Sequence, residues 1–243
     1  MIEFNDFCSV FNTVMALNGF SDLVENDKSR MFYDLTDRML AVNEYMNLTA
    51  IKDPAAIILL HYADSLTAAR FLPQNAKIAD IGCGAGFPCL PLAICRPDLS
   101  ILALDSTEKR IQYVKETAKL LSCENLEAIA MRAEEGGKGT YREQFDVCTA
   151  RAVASLPALS ELCLPFVRVG GTFLAMKGRK GEEELQEASS AIKKLGGEVA
   201  ELHRITLRSQ TEEETRYLIE VKKVKPTPIE FPRQWARILK KPL

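Results

Sequence analysis

From residue 77 to residue 223 the chain alternates short apolar runs with longer amphipathic ones, and that alternation leaves few folds open. Runs 77–81, 101–104, 126–131, 145–150 and 172–176 have strand length and apolar character. Between them, 88–95, 108–121, the stretch after Ala150 through Val167, and 182–195 read as helices, with Ile111, Val114, Ala118 and Leu121 on one face of the second. Gly170-Gly171 and Gly196-Gly197 supply turns. Alternating strands and helices pack as a parallel sheet covered on both faces. Runs 199–207 and 217–223 have no helix between them, so that last pair must be antiparallel. The predicted fold is α/β: a doubly wound, mostly parallel seven-stranded sheet with an antiparallel strand near the end.

The first seventy or so residues follow a different period. Met31, Leu35, Met39, Val42 and Met46 form one helical stripe. Asp53-Pro54 starts a further helix, Asp as cap and Pro at the first helical position, running through Ala69 and ending near Pro73. The expected organisation is a helical N-terminal extension over 1–72, the α/β domain over 73–225, and a basic C-terminal tail over 226–243.

Composition narrows the setting. The 243 residues are 47% hydrophobic and 26% charged, ordinary for a globular protein. Residues 1–6 lack the basic-then-apolar pattern of a signal peptide, and no apolar run is long enough to span a bilayer, so the expectation is a cytoplasmic protein without a membrane partner. Seven cysteines without C-x-x-C spacing give neither a disulfide framework nor a zinc pattern and read as small buried hydrophobes. With His61 and His203 the only histidines, no metal is expected. Net charge is −2, yet Lys222, Lys223, Lys225, Arg233, Arg237, Lys240 and Lys241 crowd the C-terminus. They read as a phosphate-binding patch or as a solvated basic end.

The sharpest motif is Asp80-Ile81-Gly82-Cys83-Gly84-Ala85-Gly86-Phe87, where a strand hands over to a helix. Ligands of doubly wound sheets bind at such turns, and glycine lets the backbone approach them. A dinucleotide loop, G-x-G-x-x-G, needs glycine where Phe87 stands. Asp80 is ill placed beside a pyrophosphate but suits the cationic amino group of S-adenosylmethionine. The D-x-G-x-G-x-G pattern is therefore similar to the methyltransferase loop, and the expected fold is that of the class I methyltransferases. Asp105 closes the second strand, where an acid accepts bonds from ribose hydroxyls or caps the next helix. Ala133-Glu134 follows the third strand, beside the adenine position. Arg151 follows the fourth in an apolar run and requires a partner there, for which Asp80, Glu134 and the cofactor carboxylate are candidates. Lys177, at the end of the fifth strand, is a phosphate contact or a solvated lysine. His61 and Asp64 share a helix face and line the site mouth or, as the plainer reading, bond the helix to the domain.

Taken together, these segments resemble the small-subunit ribosomal RNA guanine-N7 methyltransferase family, also called glucose-inhibited division protein B. The matching segments are Asn47-Leu48-Thr49-Ala50-Ile51, His61-Tyr62-Ala63-Asp64-Ser65-Leu66, residues 80–91, Asp105-Ser106 with Lys109-Arg110, Arg132-Ala133-Glu134-Glu135, Ala150-Arg151-Ala152-Val153-Ala154, Lys177-Gly178, Phe231-Pro232-Arg233 and Lys240-Lys241-Pro242-Leu243. The resemblance implies methylation of N7 of a guanine in the 530 loop of 16S ribosomal RNA, with that RNA or the small ribosomal subunit as partner. It implies cofactor contacts at Gly82, Phe87, Ala133, Glu134 and Arg151, to which the loop reading adds Asp80, Gly84 and Asp105. Cys89 stands where the family usually has glycine, and Trp235-Ala236 where it usually has Pro and Gly. Guanine N7 carries no proton at neutral pH, so alignment is the main requirement and no obligatory catalytic residue is expected. Asp80 and Asp64 are candidates to offset the charge that reaches the base. The rivals are a methyltransferase of another RNA or small molecule, a nicotinamide dehydrogenase, and a non-catalytic RNA-binding module.

Overall fold

The computed structural model describes residues 2–25 and 28–243. Helix α1 (Phe4–Leu17) buries Phe7, Phe11, Val14 and Met15, and α2 (Lys28–Met46) buries Leu35, Met39 and Val42, with Met31 and Met46 packed at the edge of the same core. The expected stripe is therefore present. A continuous helical run over 54–71, α3, follows. Its start is as expected: the Asp53 carboxylate accepts the Ala56 N–H at 2.8 Å and Pro54 occupies the first turn. Removing this cap by Asp53→Ala is expected to lower stability by about 1 kcal/mol. Urea denaturation measures it, and an unchanged midpoint would show that packing alone holds the helix start.

The middle of α3, Ile58–Ala63, is π-helical, between α-helical Pro54–Ile57 and Asp64–Leu66, and Thr67–Phe71 is a 3-10 turn. The wider turn shifts the register of the side chains that follow.

The remaining elements are β1 (Lys77–Ile81), α4 (Cys89–Cys95), β2 (Ser100–Asp105), α5 (Glu108–Leu120), β3 (Leu126–Ala130), α6 (Ala133–Gly136), β4 (Phe145–Arg151), α7 (Leu156–Cys163), β5 (Val167–Lys177), α8 (Gly181–Lys194), β6 (Gly197–Arg208), β7 (Glu213–Lys223) and α9 (Trp235–Lys240). The sheet runs β3-β2-β1-β4-β5-β7-β6. All pairs are parallel except those of β7, which is antiparallel to both β5 and β6. The strand order reverses between β1 and β4, and a crevice opens there at the carboxyl ends of the strands.

Alternation along the strands divides the interior in two. Ile78, Ile101, Ala103, Leu174 and Met176 face a core shared with α1–α5. Their neighbours Ala79, Leu102, Leu104, Phe173 and Ala175 face a second core shared with α7, α8 and the C-terminal segment. Side chains of the N-terminal helices thus belong to the same core as one sheet face.

One segment departs from expectation. The helix after β4 does not run through Val167: α7 stops at Cys163, a 3-10 turn covers Leu164–Phe166, and Val167 already pairs with Phe145. Pro165 lacks the N–H an α-helix would use, and the apolar run 162–167 suits a buried strand as well as a helix. Gly170-Gly171 accordingly lie inside β5, at an irregularity in its pairing. A Cβ on Gly171 would stand 2.6 Å from the Asp146 carbonyl oxygen, so glycine permits the close approach to β4.

The C-terminal segment packs on the second core through Phe231 and Ile238. Two cations of the basic stretch 222–241 are held by protein acceptors. Lys223 Nζ, fully buried, donates to Leu164 O and Thr227 Oγ1 (both 2.6 Å) and lies 3.2 Å from Glu143. Burial lowers its pKa to about 8, against the pull of Glu143. Arg233 forks onto the buried Glu161 carboxylate. Neither serves a phosphate-binding patch.

Candidate functional site

Two cavities open at the carboxyl ends of the strands, one on each side of the loop that follows β4. The first, about 260 Å³, is bounded by Gly82, Asp105, Ala133, Glu134, Val153 and Trp235. Its floor is the turn after β1, where Gly82 N–H and Cys83 N–H both donate to Leu104 O of β2 (2.7 and 3.1 Å). Gly82 has φ +72°, and a Cβ there would stand 2.5 Å from Val153 Cγ2. Asp105 is fixed at the cavity edge. One carboxylate oxygen accepts from Gly84 N–H (3.1 Å), the other from Thr107 N–H (2.8 Å), and Arg110 lies 3.8 Å away. A carboxylate has about four acceptor positions, so two remain for vicinal hydroxyls. With the apolar Ile81, Met131 and Leu162 alongside, this wall suits a nucleoside.

Asp80 lies beneath the loop and is 1% exposed. Its carboxylate accepts from Cys89 N–H and Thr149 Oγ1, both at 3.1 Å. Burial pushes its pKa up from 3.8 to about 6, while the bonds from Thr149 and Cys89 pull it down. An aspartate raised in this way binds a proton on folding. Its contribution to stability is full below pH about 4 and is lost as pH rises through about 6. Wild-type protein is therefore expected to lose stability relative to Asp80→Asn between about pH 4 and 6, read as urea midpoints; parallel curves over that range would contradict this.

Cys89 adds nothing to the cavity lining: it is fully buried, and its backbone serves Asp80. All seven cysteines are free thiols, six of them buried, as expected of small hydrophobes.

The second cavity, about 800 Å³, is bounded by His61, Asp64, Arg151, Lys177, Glu184 and Arg216 among others. Arg151, closing β4, does not pair with Asp80 or Glu134. Its partner is Asp64 of α3 at 2.8 Å, and it also donates to Leu60 O (2.9 Å) and lies over the Phe87 ring. The π-helical turn brings Leu60, His61 and Asp64 to one guanidinium, so this face is indeed a helix-to-domain contact, and it lines the cavity as well. Arg216 of β7 approaches the other Asp64 oxygen at 3.4 Å.

His61 stacks on Phe87 with ring centroids 4.6 Å apart. Burial and the nearby Arg151 charge lower its pKa to about 4, so the imidazole is neutral. With Nδ1 facing Arg151, Nε2–H donates to Thr49 Oγ1 (2.9 Å).

Lys177 is not a solvated lysine: it is 8% exposed, borders the second cavity and is ion-paired to Glu184 at 2.7 Å. A strand-end position in the sequence does not disclose a partner on the next helix.

Of the eight anticipated cofactor residues, Gly82, Asp105, Ala133 and Glu134 meet at the first cavity. Asp80 and Gly84 belong to its supporting loop, and Phe87 and Arg151 lie together beside the second cavity. Sequence reasoning did not place Trp235 at the site; its backbone N–H donates to Glu134 (3.2 Å) from 101 positions away, and no local pattern signals such a contact. Arg216 was missed because the strand read from 217 begins at Glu213.

Outside both cavities, Glu201, His203 and Glu220 converge on the β6–β7 hairpin, with His203 facing both carboxylates at 3.4–3.5 Å. No helix among the described residues is long and apolar enough to cross a membrane.

Comparison with known proteins gives consistent likenesses. Residues 28–213 match the GidB family, described as rRNA small subunit methyltransferase G. The chain is 43% identical over 221 residues to the ribosomal RNA small subunit methyltransferase G of Lactobacillus delbrueckii subsp. bulgaricus, covering 89% of this chain and 92% of that one. It is 42% identical over 220 residues to the protein of the same name from Macrococcus caseolyticus, covering 90% and 92%. Among solved structures, it is similar in fold to a precorrin-6y C5,15-methyltransferase from Geobacter metallireducens, with TM-score 0.52, 16% identity and coverage of 73% and 91%.

Proposed function

Since this chain belongs to the GidB family of rRNA small subunit methyltransferase G and is an S-adenosylmethionine-dependent methyltransferase, we propose that it methylates N7 of a guanine in the 530 loop of 16S ribosomal RNA. The observation that carries the reading is the shared border: Ala152 and Val153 line both cavities, so a donor in one and an acceptor base in the other come into direct contact beside these two residues. The first cavity takes the cofactor. Asp105 would hold the ribose, Ala133 and Glu134 would flank the adenine, and Gly82 and Gly84 would bring the backbone close, with Asp80 fixing the loop from below. Phe87 and Arg151 complete the set at the junction of the cavities.

S-adenosylmethionine supplies a methyl group already activated by the positive sulfur. The chain's own residues then align the reactants, which is catalysis by orientation. Guanine N7 offers a lone pair and no proton. A general base is not needed, which agrees with a neutral His61 bonded to Thr49 and with carboxylates at Asp64 and Asp80 that are engaged by protein donors. The target base leaves its stack to enter the second cavity. The proposed partner is 16S ribosomal RNA or the small ribosomal subunit, in the cytoplasm.

The test uses purified protein, radiolabelled S-adenosylmethionine and small subunits from cells lacking the modification, with cleavage at N7-methylguanine to map the product. Label at one guanine of the 530 loop is expected. Label elsewhere would contradict the substrate, and no transfer would contradict the reaction.

A further inference from the structure

The loop between the cavities is held by a device that no cavity-lining role explains. After β4 the chain turns at Ala152, whose φ is +56°. A left-handed alanine is unfavourable and persists only where its surroundings over-determine it. The surroundings here come from β5 and α8. Lys177 Nζ donates to the Ala154 carbonyl at 2.6 Å, and the Glu184 carboxylate accepts the Leu156 N–H at 2.7 Å. Lys177 and Glu184 are paired with each other at 2.7 Å. One ion pair therefore grips the loop at residues 154 and 156. Between that grip and Arg151, the loop presents Ala152 and Val153 to both cavities. Val153 in turn lies so close to Gly82 that the loop position and the cofactor turn are set together.

We infer that Lys177 and Glu184 are positioning residues: a paired brace that fixes residues 152–155 and so sets the spacing between methyl donor and acceptor base. Both side chains border the second cavity, but their charged atoms face each other and the loop backbone, not an incoming phosphate. The inference rests on the two-cavity reading of the reaction.

The test compares full-length wild type with Lys177→Met, Glu184→Ala, Glu184→Gln and the Lys177→Met/Glu184→Ala double variant. Two readouts are used: hydrogen exchange of the 152–156 amides, and steady-state kinetics on small subunits at saturating S-adenosylmethionine. Faster exchange of those amides is expected in Lys177→Met and Glu184→Ala. A fall of about 100-fold in kcat is expected with KM for subunits moved less than about threefold, the size of effect that misplacement of aligned groups produces. The double variant is expected to be no worse than either single one, because both act through one loop. Glu184→Gln keeps an oxygen for the Leu156 N–H and for Lys177, so it is expected to recover most of kcat; it also remains informative if the truncated variants do not fold. A raised KM with unchanged kcat in Lys177→Met would overturn the brace in favour of a direct RNA contact. So would independent, multiplying effects in the double variant, or a Glu184→Gln as impaired as Glu184→Ala. Failure of wild type to methylate subunits would sink the substrate reading instead, and the exchange measurement would still decide whether the brace exists.

Discussion

Alanine at Gly82 is expected to destabilise the protein by about 3 kcal/mol and to lower methyl transfer about 100-fold. Two costs combine. The backbone at Gly82 is left-handed, φ +72°, a conformation that costs a residue with a Cβ roughly 1–2 kcal/mol. The new methyl would also stand 2.5 Å from Val153 Cγ2 and 3.3 Å from Cγ1, and overpacking of this kind costs typically 1–3 kcal/mol. Relief requires Val153 to move into one cavity or the other, which alters the border beside which the reactants meet. A displacement of about 1 Å in such a place is worth about 100-fold in rate. Urea denaturation and single-turnover transfer at saturating cofactor measure the two effects. Gly178→Ala is the control. A Cβ there meets nothing within 4 Å, so a change within about 0.5 kcal/mol is expected. Equal stability of the two variants would show that the loop after β4 yields without consequence.

The second large effect lies in the C-terminal segment. Glu161 of α7 is 0% exposed, and its carboxylate is held by the Arg233 guanidinium and the Arg233 backbone N–H (2.7 Å). Arg233→Ala leaves that carboxylate with one donor. Breaking a buried pair from one side costs about 3–5 kcal/mol, and about 3 is expected here because Arg233 itself reaches solvent. Glu161→Leu combined with Arg233→Met is expected to recover most of the loss, since apolar replacement removes the stranded charge. Function should follow stability. Two residues beyond Arg233, Trp235 closes the first cavity and ties to Glu134. Weaker anchoring of this segment is therefore expected to raise the dissociation constant for S-adenosylhomocysteine at least tenfold, read by calorimetry. Unchanged affinity in a destabilised Arg233→Ala would mean that Trp235 is a bystander to cofactor binding.

The sheet was legible in the sequence because its signals are local. Each strand is a short apolar run between turn residues, and the missing helix before β7 announces an antiparallel pair. The segment 162–167 misled because hydrophobicity without period does not separate a buried strand from a helix. The π-helical turn in α3 left no trace either: Ile57 to Leu60 is uniformly apolar, and the extra residue per turn shows only in what meets Arg151.

The site divides in the same way. Gly82, Asp105, Ala133 and Glu134 sit at strand ends, which a strand map places together. Arg151 announced its need for a partner by standing in an apolar run, but the partner, Asp64, comes from 87 positions away. Composition suggested a basic tail, yet Lys223 and Arg233 serve buried acceptors, because a cation's neighbours are set by tertiary packing and not by the charges adjacent to it in the chain.

The central claim is that donor and acceptor occupy the two cavities and meet at Ala152–Val153. A crystal structure with S-adenosylhomocysteine tests it most directly. The account predicts the ribose at Asp105, the adenine beside Ala133 and Glu134, and the sulfur at Ala152–Val153 facing the second cavity. A ligand bound with its sulfur turned away from that wall, or seated in the second cavity itself, would contradict it.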